Sequence, residues 1–166
     1  MLIDQKRAHE RVLYERFLEC LSNNRSISQI DMFPVSAELN PADYFILKEI
    51  EGELELLGFS IEHTGKNTIT INGRPADSDS SNPLEILEIL LQNYKNSQAD
   101  PSSGAKEKVA ASMACASAIQ YGKVLSHGEM EDLFDTLFAC QAPNYSPKGK
   151  PVISILTLED IDKRFK

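Results

Sequence analysis

The polar and apolar positions of the first twenty-one residues set the pattern for the chain. Ala8, Val12, Leu13, Phe17 and Leu21 recur at helical spacing and form one apolar face. Lys6, Arg7, Glu10, Arg11, Glu15, Arg16 and Glu19 crowd the opposite face. Lys6 with Glu10 and Arg11 with Glu15 stand four apart, where opposite charges meet on a helix. Met1-Leu2-Ile3 reads as the end of a buried strand, and Asp4 as the N-cap, because a short carboxylate accepts from the unpaired N–H groups of the first turn.

Further along, Ser22-Asn23-Asn24 breaks the helix, and Ser28 to Phe33 is β-prone up to Pro34, as in an edge or connecting strand. Asn40-Pro41 opens a helix with Leu47, Ile50, Leu54 and Leu57 on one face, and Gly58 stops it. Phe59 to His63 and Thr68 to Ile71 alternate about a Gly65-Lys66-Asn67 turn, the pattern of a hairpin. A polar run from Asp77 leads to Asn82-Pro83, a second helix start, followed by Leu84, Leu87, Leu90, Leu91 and Tyr94. Residues 98–104 have linker composition. Lys106 to Tyr121 forms a helix rich in Ala and Ser that lets a neighbour approach closely, ending at Gly122. Ser126 to Glu129 is a capping box for a helix that turns Met130, Leu133, Phe134 and Leu137 inward. A loop with Pro143, Pro147 and Pro151 precedes a strand from Val152 to Leu156, and Thr157 caps a short last helix. The periodicities give a mixed α+β chain without internal repeats, carrying a helix–hairpin–helix unit in its middle third.

Composition narrows the function classes. At 166 residues, 42% hydrophobic and 25% charged, the chain suits one domain or two small subdomains. No apolar run approaches a membrane span. Cys20, Cys115 and Cys140 are scattered and form no CxxC, which points to a reducing, cytoplasmic location and away from a thiolate zinc site. A net charge of −8 opposes nonspecific DNA binding by this chain alone. The charge is uneven: residues 31–104 hold 13 acidic and 4 basic groups, the flanks 12 and 13, as expected of two parts with different surfaces.

Asp4 to Glu15, DQKRAHERVLYE, resembles the strand-to-helix segment that opens the C-terminal domain of the MutL family of DNA mismatch repair proteins. Endonuclease members of that family carry DQHA(x)2E(x)4E there. Asp4, Gln5, Glu10 and Glu15 fall in register, while Lys6 and Arg7 stand at the His and Ala. Ala114-Cys115, Leu125-Ser126…Glu129-Met130-Glu131 and Pro147-Lys148-Gly149-Lys150-Pro151 extend the likeness, the last being similar to the family's CPHGRP. The resemblance implies a discontinuous dimerisation subdomain (1–28 and 105–166) interrupted by an external, regulatory one (29–104). It implies a homodimer that serves the DNA damage response by holding two protomers together, with other mismatch repair proteins as partners and DNA only weakly contacted here. The family's domain begins with a further β segment, and its ATPase domain has no counterpart in these residues. The chain therefore reads as a segment of a longer protein, with ATP and Mg expected only in that other domain and no cofactor here.

The family's nuclease site would draw on the first helix and the late loop. The positions are Asp4, Lys6, Glu10, Glu15, Ser146 and Lys148, with Ser146 at the Cys and Lys148 at a His. Each replacement removes a metal donor, and an ammonium group offers no lone pair and repels a cation. The expectation is a degenerate site holding no metal, with no catalytic residue, in which Glu10 and Glu15 serve as surface salt-bridge partners. His9, His63 and His127 are read as packing or surface residues.

Gln29 to Pro34 fits Q(x)2(L/I/M)xP and resembles the segment by which MutL regulatory parts engage the replication sliding clamp. Gln29, Met32, Phe33 and Pro34 are the partner-binding candidates, an amide and three apolar groups on an extended segment. The alternative function is a divergent metal-dependent nicking endonuclease using Asp4, Glu10 and Glu15. A third reading, an acidic adaptor unrelated to repair, treats the motif matches as accidental.

Overall fold

Asp4 starts the first helix as expected: its Oδ1 accepts from the Arg7 N–H at 3.0 Å. The computed structural model describes residues 1–23, 28–75, 82–98, 103–163 and 165, and only the backbone of 28–33. Its elements are β1 (Leu2–Ile3), α1 (Gln5–Asn23), β2 (Ser28–Glu38), α2 (Pro41–Glu49), α3 (Glu51–Leu56), β3 (Ser60–His63), β4 (Thr68–Pro75), α4 (Pro83–Ser97), α5 (Ala105–Ser117), α6 (His127–Ala139), β5 (Ile153–Ser154) and α7 (Leu158–Asp162). The chain is α+β. Asn24, residues 77–81 and residues 99–102, part of the expected breaks and linker, lie outside the described residues.

Two small antiparallel sheets draw on different parts of the chain. β1 pairs with β5, placing Leu2 opposite Ser154 and Ile3 opposite Ile153, so the two ends meet. β4 lies between β2 and β3 in the other sheet. The larger core is continuous, joining Leu13, Phe17 and Leu21 of α1 to Val109 and Met113 of α5 and to Leu87, Leu90 and Ile71 of the middle third. α5 packs against both α1 and α4. Its Ala110, Ser112, Ala114 and Ser117 are buried, which explains why that helix carries small side chains. A smaller core of Ala8, Leu137 and Val152 ties α1 and α6 to the end of the late loop.

Several boundaries differ from expectation, each for a local reason. β2 continues through Pro34 as an edge strand, because residues 31–34 lie opposite the single residue Asn72 and the register resumes at Val35. The helix from Pro41 divides at Ile50, whose backbone leaves helical geometry. α5 stops at Ser117, four residues before the expected end, where Ala118 turns extended. The next N–H, that of Ile119, is taken by the imidazole Nδ1 of His9 at 3.1 Å. Gly122, at φ +89°, belongs to the following turn instead. β5 covers only two residues of the expected five.

Burial departs from pattern at three places. Met1 and Leu2 are 63% and 57% exposed, so the first strand is not buried within a single chain. Met130 and Phe134, expected inward, are 50% and 43% exposed, and of that face only Leu137 is fully enclosed. Arg11, placed by periodicity on the charged surface, is buried.

Candidate functional site

The first helix, the middle of α5 and the 140–151 loop converge on Glu10. α1 presents Lys6 and Glu10 one turn apart on the side facing α5 and the loop. The loop presents Lys148 from a tight turn held by Ser146. The Ser146 N–H donates to the Lys150 carbonyl at 2.8 Å, its Oγ accepts from the Lys150 N–H at 3.2 Å, and its own carbonyl accepts from Gly149 at 2.9 Å. Gly149 sits at φ +72°, a left-handed conformation that a side chain would strain. Ser146 is buried, so it shapes the turn rather than facing the cluster.

Lys148 reaches back across this turn. Its ammonium donates to Asn93 Oδ1 of α4 at 3.2 Å and to the sulfur of Cys115 on α5 at 3.7 Å. Cys115 in turn lies near enough to Glu10 to favour its charged form. Burial raises the Glu10 carboxyl above its ordinary pKa. The neighbouring Lys6 and Lys148 ammonium groups and the Cys115 contact offset part of that rise. Lys6 does not close the expected ion pair: its ammonium donates to Gln120 Oε1 at 3.0 Å and lies over the Tyr121 ring.

Asp4 and Glu15 are committed elsewhere. The Asp4 carboxylate caps α1, pairs with Arg7 Nε at 3.2 Å and accepts from the Tyr121 hydroxyl at 3.3 Å. Glu15 accepts from the backbone N–H groups of Gln141 at 2.7 Å and Ala142 at 3.2 Å, which fastens the loop after α6 to α1. It also meets Arg11 at 3.5 Å, the pair expected from the spacing. Arg11 Nε donates to the Tyr145 carbonyl at 2.6 Å, and Arg7 Nη1 to the Pro151 carbonyl at 2.8 Å. Beside Glu15 the Cys140 thiol is pushed up to about 11, chiefly by burial and then by the carboxylate's charge.

Of the six positions singled out, the structure therefore gathers Lys6, Glu10 and Lys148, keeps Asp4 at the helix start, turns Glu15 to the start of the 140–151 loop, and buries Ser146. Among the described residues, no three of His, Cys, Asp and Glu form a group that could hold a metal ion. Asn93 comes from the middle third and carries no motif, and nothing near it in sequence signals this role. Arg11 could have been found, since its partner Glu15 stands one turn away. A cleft of about 380 Å³ opens beside Lys148, between α4 and α5.

The side chains of Gln29, Met32 and Phe33 lie outside the described residues. Their backbone belongs to β2, and Pro34 is exposed. His63 of β3 contacts Glu51 at 2.8 Å and the edge of Tyr44, a packing arrangement across the α2–α3–β3 surface. His127, at the start of α6, lies 3.4 Å from Glu131 on the surface. Among the described residues no helix is long and apolar enough to cross a membrane.

Residues 1–125 match the family described as "MutL C terminal dimerisation domain". The chain is similar to the DNA mismatch repair protein MutL of Bacteroides fragilis (strain YCH46), at 37% identity over all of this chain and 27% of that protein. The MutL proteins of Chloroherpeton thalassium and Chlorobium phaeobacteroides (strain BS1) are each 39% identical over 99% of this chain and 26% of their own length. The chain thus spans about a quarter of the length of these curated relatives.

Proposed function

The chain belongs to the MutL family, in its C-terminal dimerisation domain, and from that premise we propose that it joins two protomers of a DNA mismatch repair protein and docks repair partners without cutting DNA. The observation that carries this reading is an uncovered apolar surface. Met130, Phe134 and Phe138 stand at i, i+4 spacing along α6 and are all exposed. The rings of Phe134 and Phe138 lie 4.6 Å apart. Met130 and Phe134 share a cleft with Ile3 of β1, and exposed Met1, Leu2, Ile155 and Leu158 flank the same small sheet. A single chain leaves these groups in water, whereas a second copy would cover them.

Residues 1–28 with 105–166 are the assembling part in this reading, and residues 29–104, with their acidic surface and separate sheet, the external part. Metal-dependent nuclease chemistry finds no fitting donor set. Two ammonium groups lie near enough to Glu10 to act on its charge, one of them on the Cys115 sulfur, while Asp4 and Glu15 are spent on backbone N–H groups and Arg partners. Cys115 and Cys140, which form no disulfide, support a cytoplasmic setting.

Docking to a sliding clamp through Gln29, Met32, Phe33 and Pro34 is supported by the register irregularity of β2, which sets residues 31–34 against one residue of β4. Two experiments test the proposal. Supercoiled plasmid incubated with the chain and manganese is expected to stay intact. Nicking that disappears in Asp4→Asn, a change that keeps a cap-competent side chain, would replace this reading with the endonuclease one. A clamp pull-down is expected to weaken in Gln29→Ala and Met32→Ala, and retention equal to wild type would remove the docking segment.

A further inference from the structure

We propose that peroxide oxidation joins Cys115 of α5 to Lys148 of the 140–151 loop through a covalent sulfur–nitrogen bond. The geometry is a preassembled pair of thiol and amine. Lys148 Nζ stands 3.7 Å from Cys115 Sγ, a little beyond the separation of reacting atoms in a near-attack arrangement. Its flexible side chain is exposed at the rim of the cleft beside α4, so the remaining approach needs only a rotamer change. Glu10 lies close enough to Lys148 and Cys115 for both to act on its carboxyl. Cys115 is half-buried. Burial and the Glu15 charge hold the Cys140 thiol protonated.

In the first step the Cys115 sulfur attacks one oxygen of hydrogen peroxide. The S–O bond forms, the O–O bond breaks, and the thiol proton leaves with the departing hydroxide as water, giving a sulfenic acid. In the second step Lys148 gives up a proton to solvent and its freed lone pair attacks the sulfur. The N–S bond forms and the S–O bond breaks. The departing hydroxide takes a proton from solvent as a second water, and the nitrogen releases one further proton to solvent. Sulfur loses two electrons and the peroxide gains them. The link pins the loop that Arg11 and Glu15 hold by noncovalent bonds to the centre of α5. None of this depends on whether the chain dimerises.

The test uses the whole chain with Cys20→Ser and Cys140→Ser, which leaves Cys115 as the single thiol and excludes disulfides of the same mass change. After treatment with hydrogen peroxide, intact mass is expected to fall by two hydrogens, about 2 Da, and dithiothreitol to restore it. Lys148 should then resist trypsin, with a peptide joining it to Cys115. Lys148→Arg keeps the positive charge and should lose the link. Oxygen adducts on Cys115 without a joined peptide would overturn the proposal, as would a two-hydrogen loss that persists in Lys148→Arg. If the two serine changes impair folding, the same peptide map on the unaltered chain, oxidised first and alkylated afterwards, decides the question.

Discussion

Glu10 shows how a single carboxyl reports on its surroundings. Two lysines near it would hold an exposed carboxyl below its usual range, yet the net shift is upward, so loss of water outweighs both charges. A carboxyl whose pKa is raised by folding favours the folded state when protonated, below its unfolded pKa. That contribution is lost as pH rises through the folded value. Glu10→Gln should therefore melt higher than wild type at pH 7, with the advantage closing as pH falls below the ordinary carboxylate range. Thermal melts at pH 7 and pH 4 check this, and a lower melting temperature for the variant at pH 7 would show that the lysine contacts dominate. Arg11 belongs to the same scale: a buried guanidinium survives here because Glu15 and the Tyr145 carbonyl satisfy it. Removing it strips a charged hydrogen bond worth about 2 kcal/mol and loosens the loop. Arg11→Met should accordingly lower the free energy of unfolding in urea by that amount.

Among the elements, α5 is the most constrained. It lies between α1 and α4, and Ala110 and Ala114 have no exposed surface. Ala110→Leu adds three carbons where two helices already meet, and overpacking of this kind costs about 1–3 kcal/mol. Urea denaturation should show that loss, while Ala105→Leu, at the exposed start of the same helix, should show almost none. The helix starts were legible in the sequence because capping is decided within four residues. Asn40, Ser126 and Thr157 each accept from an N–H three positions on, and Asn82 from one two positions on. The end of α5 was not legible, since its stop depends on His9, more than a hundred positions away. Likewise, the α6 stripe was read as inward because a helix pattern shows which face is apolar, not what covers it.

At the scale of the molecule, the two chain ends meet in one small sheet and leave apolar groups beside it uncovered. If a second copy covers them, a charge placed there must be buried at association. Phe134→Glu removes an apolar contribution of about 1.5–3 kcal/mol and adds an ion without a partner. A weakening of at least about tenfold in dimer affinity follows. Sedimentation at micromolar concentration should move from twice the chain mass toward 18.5 kDa. Wild-type chain already monomeric under those conditions would count against assembly through this face.

What this sequence determined by itself was local or ordered along the chain: helix starts, the hairpin, the face of each helix that is apolar, and the motif order that revealed the family. Such features rest on forces reaching a few residues, and they leave their mark on neighbouring letters. Only the tertiary structure decided that Glu10, Asn93, Cys115 and Lys148 share one small volume, that Arg11 is enclosed, and that Phe134 is not. Those outcomes depend on how α1, α4, α5 and the late loop pack together. Packing is set by the fit of whole surfaces, which no short stretch of residues encodes.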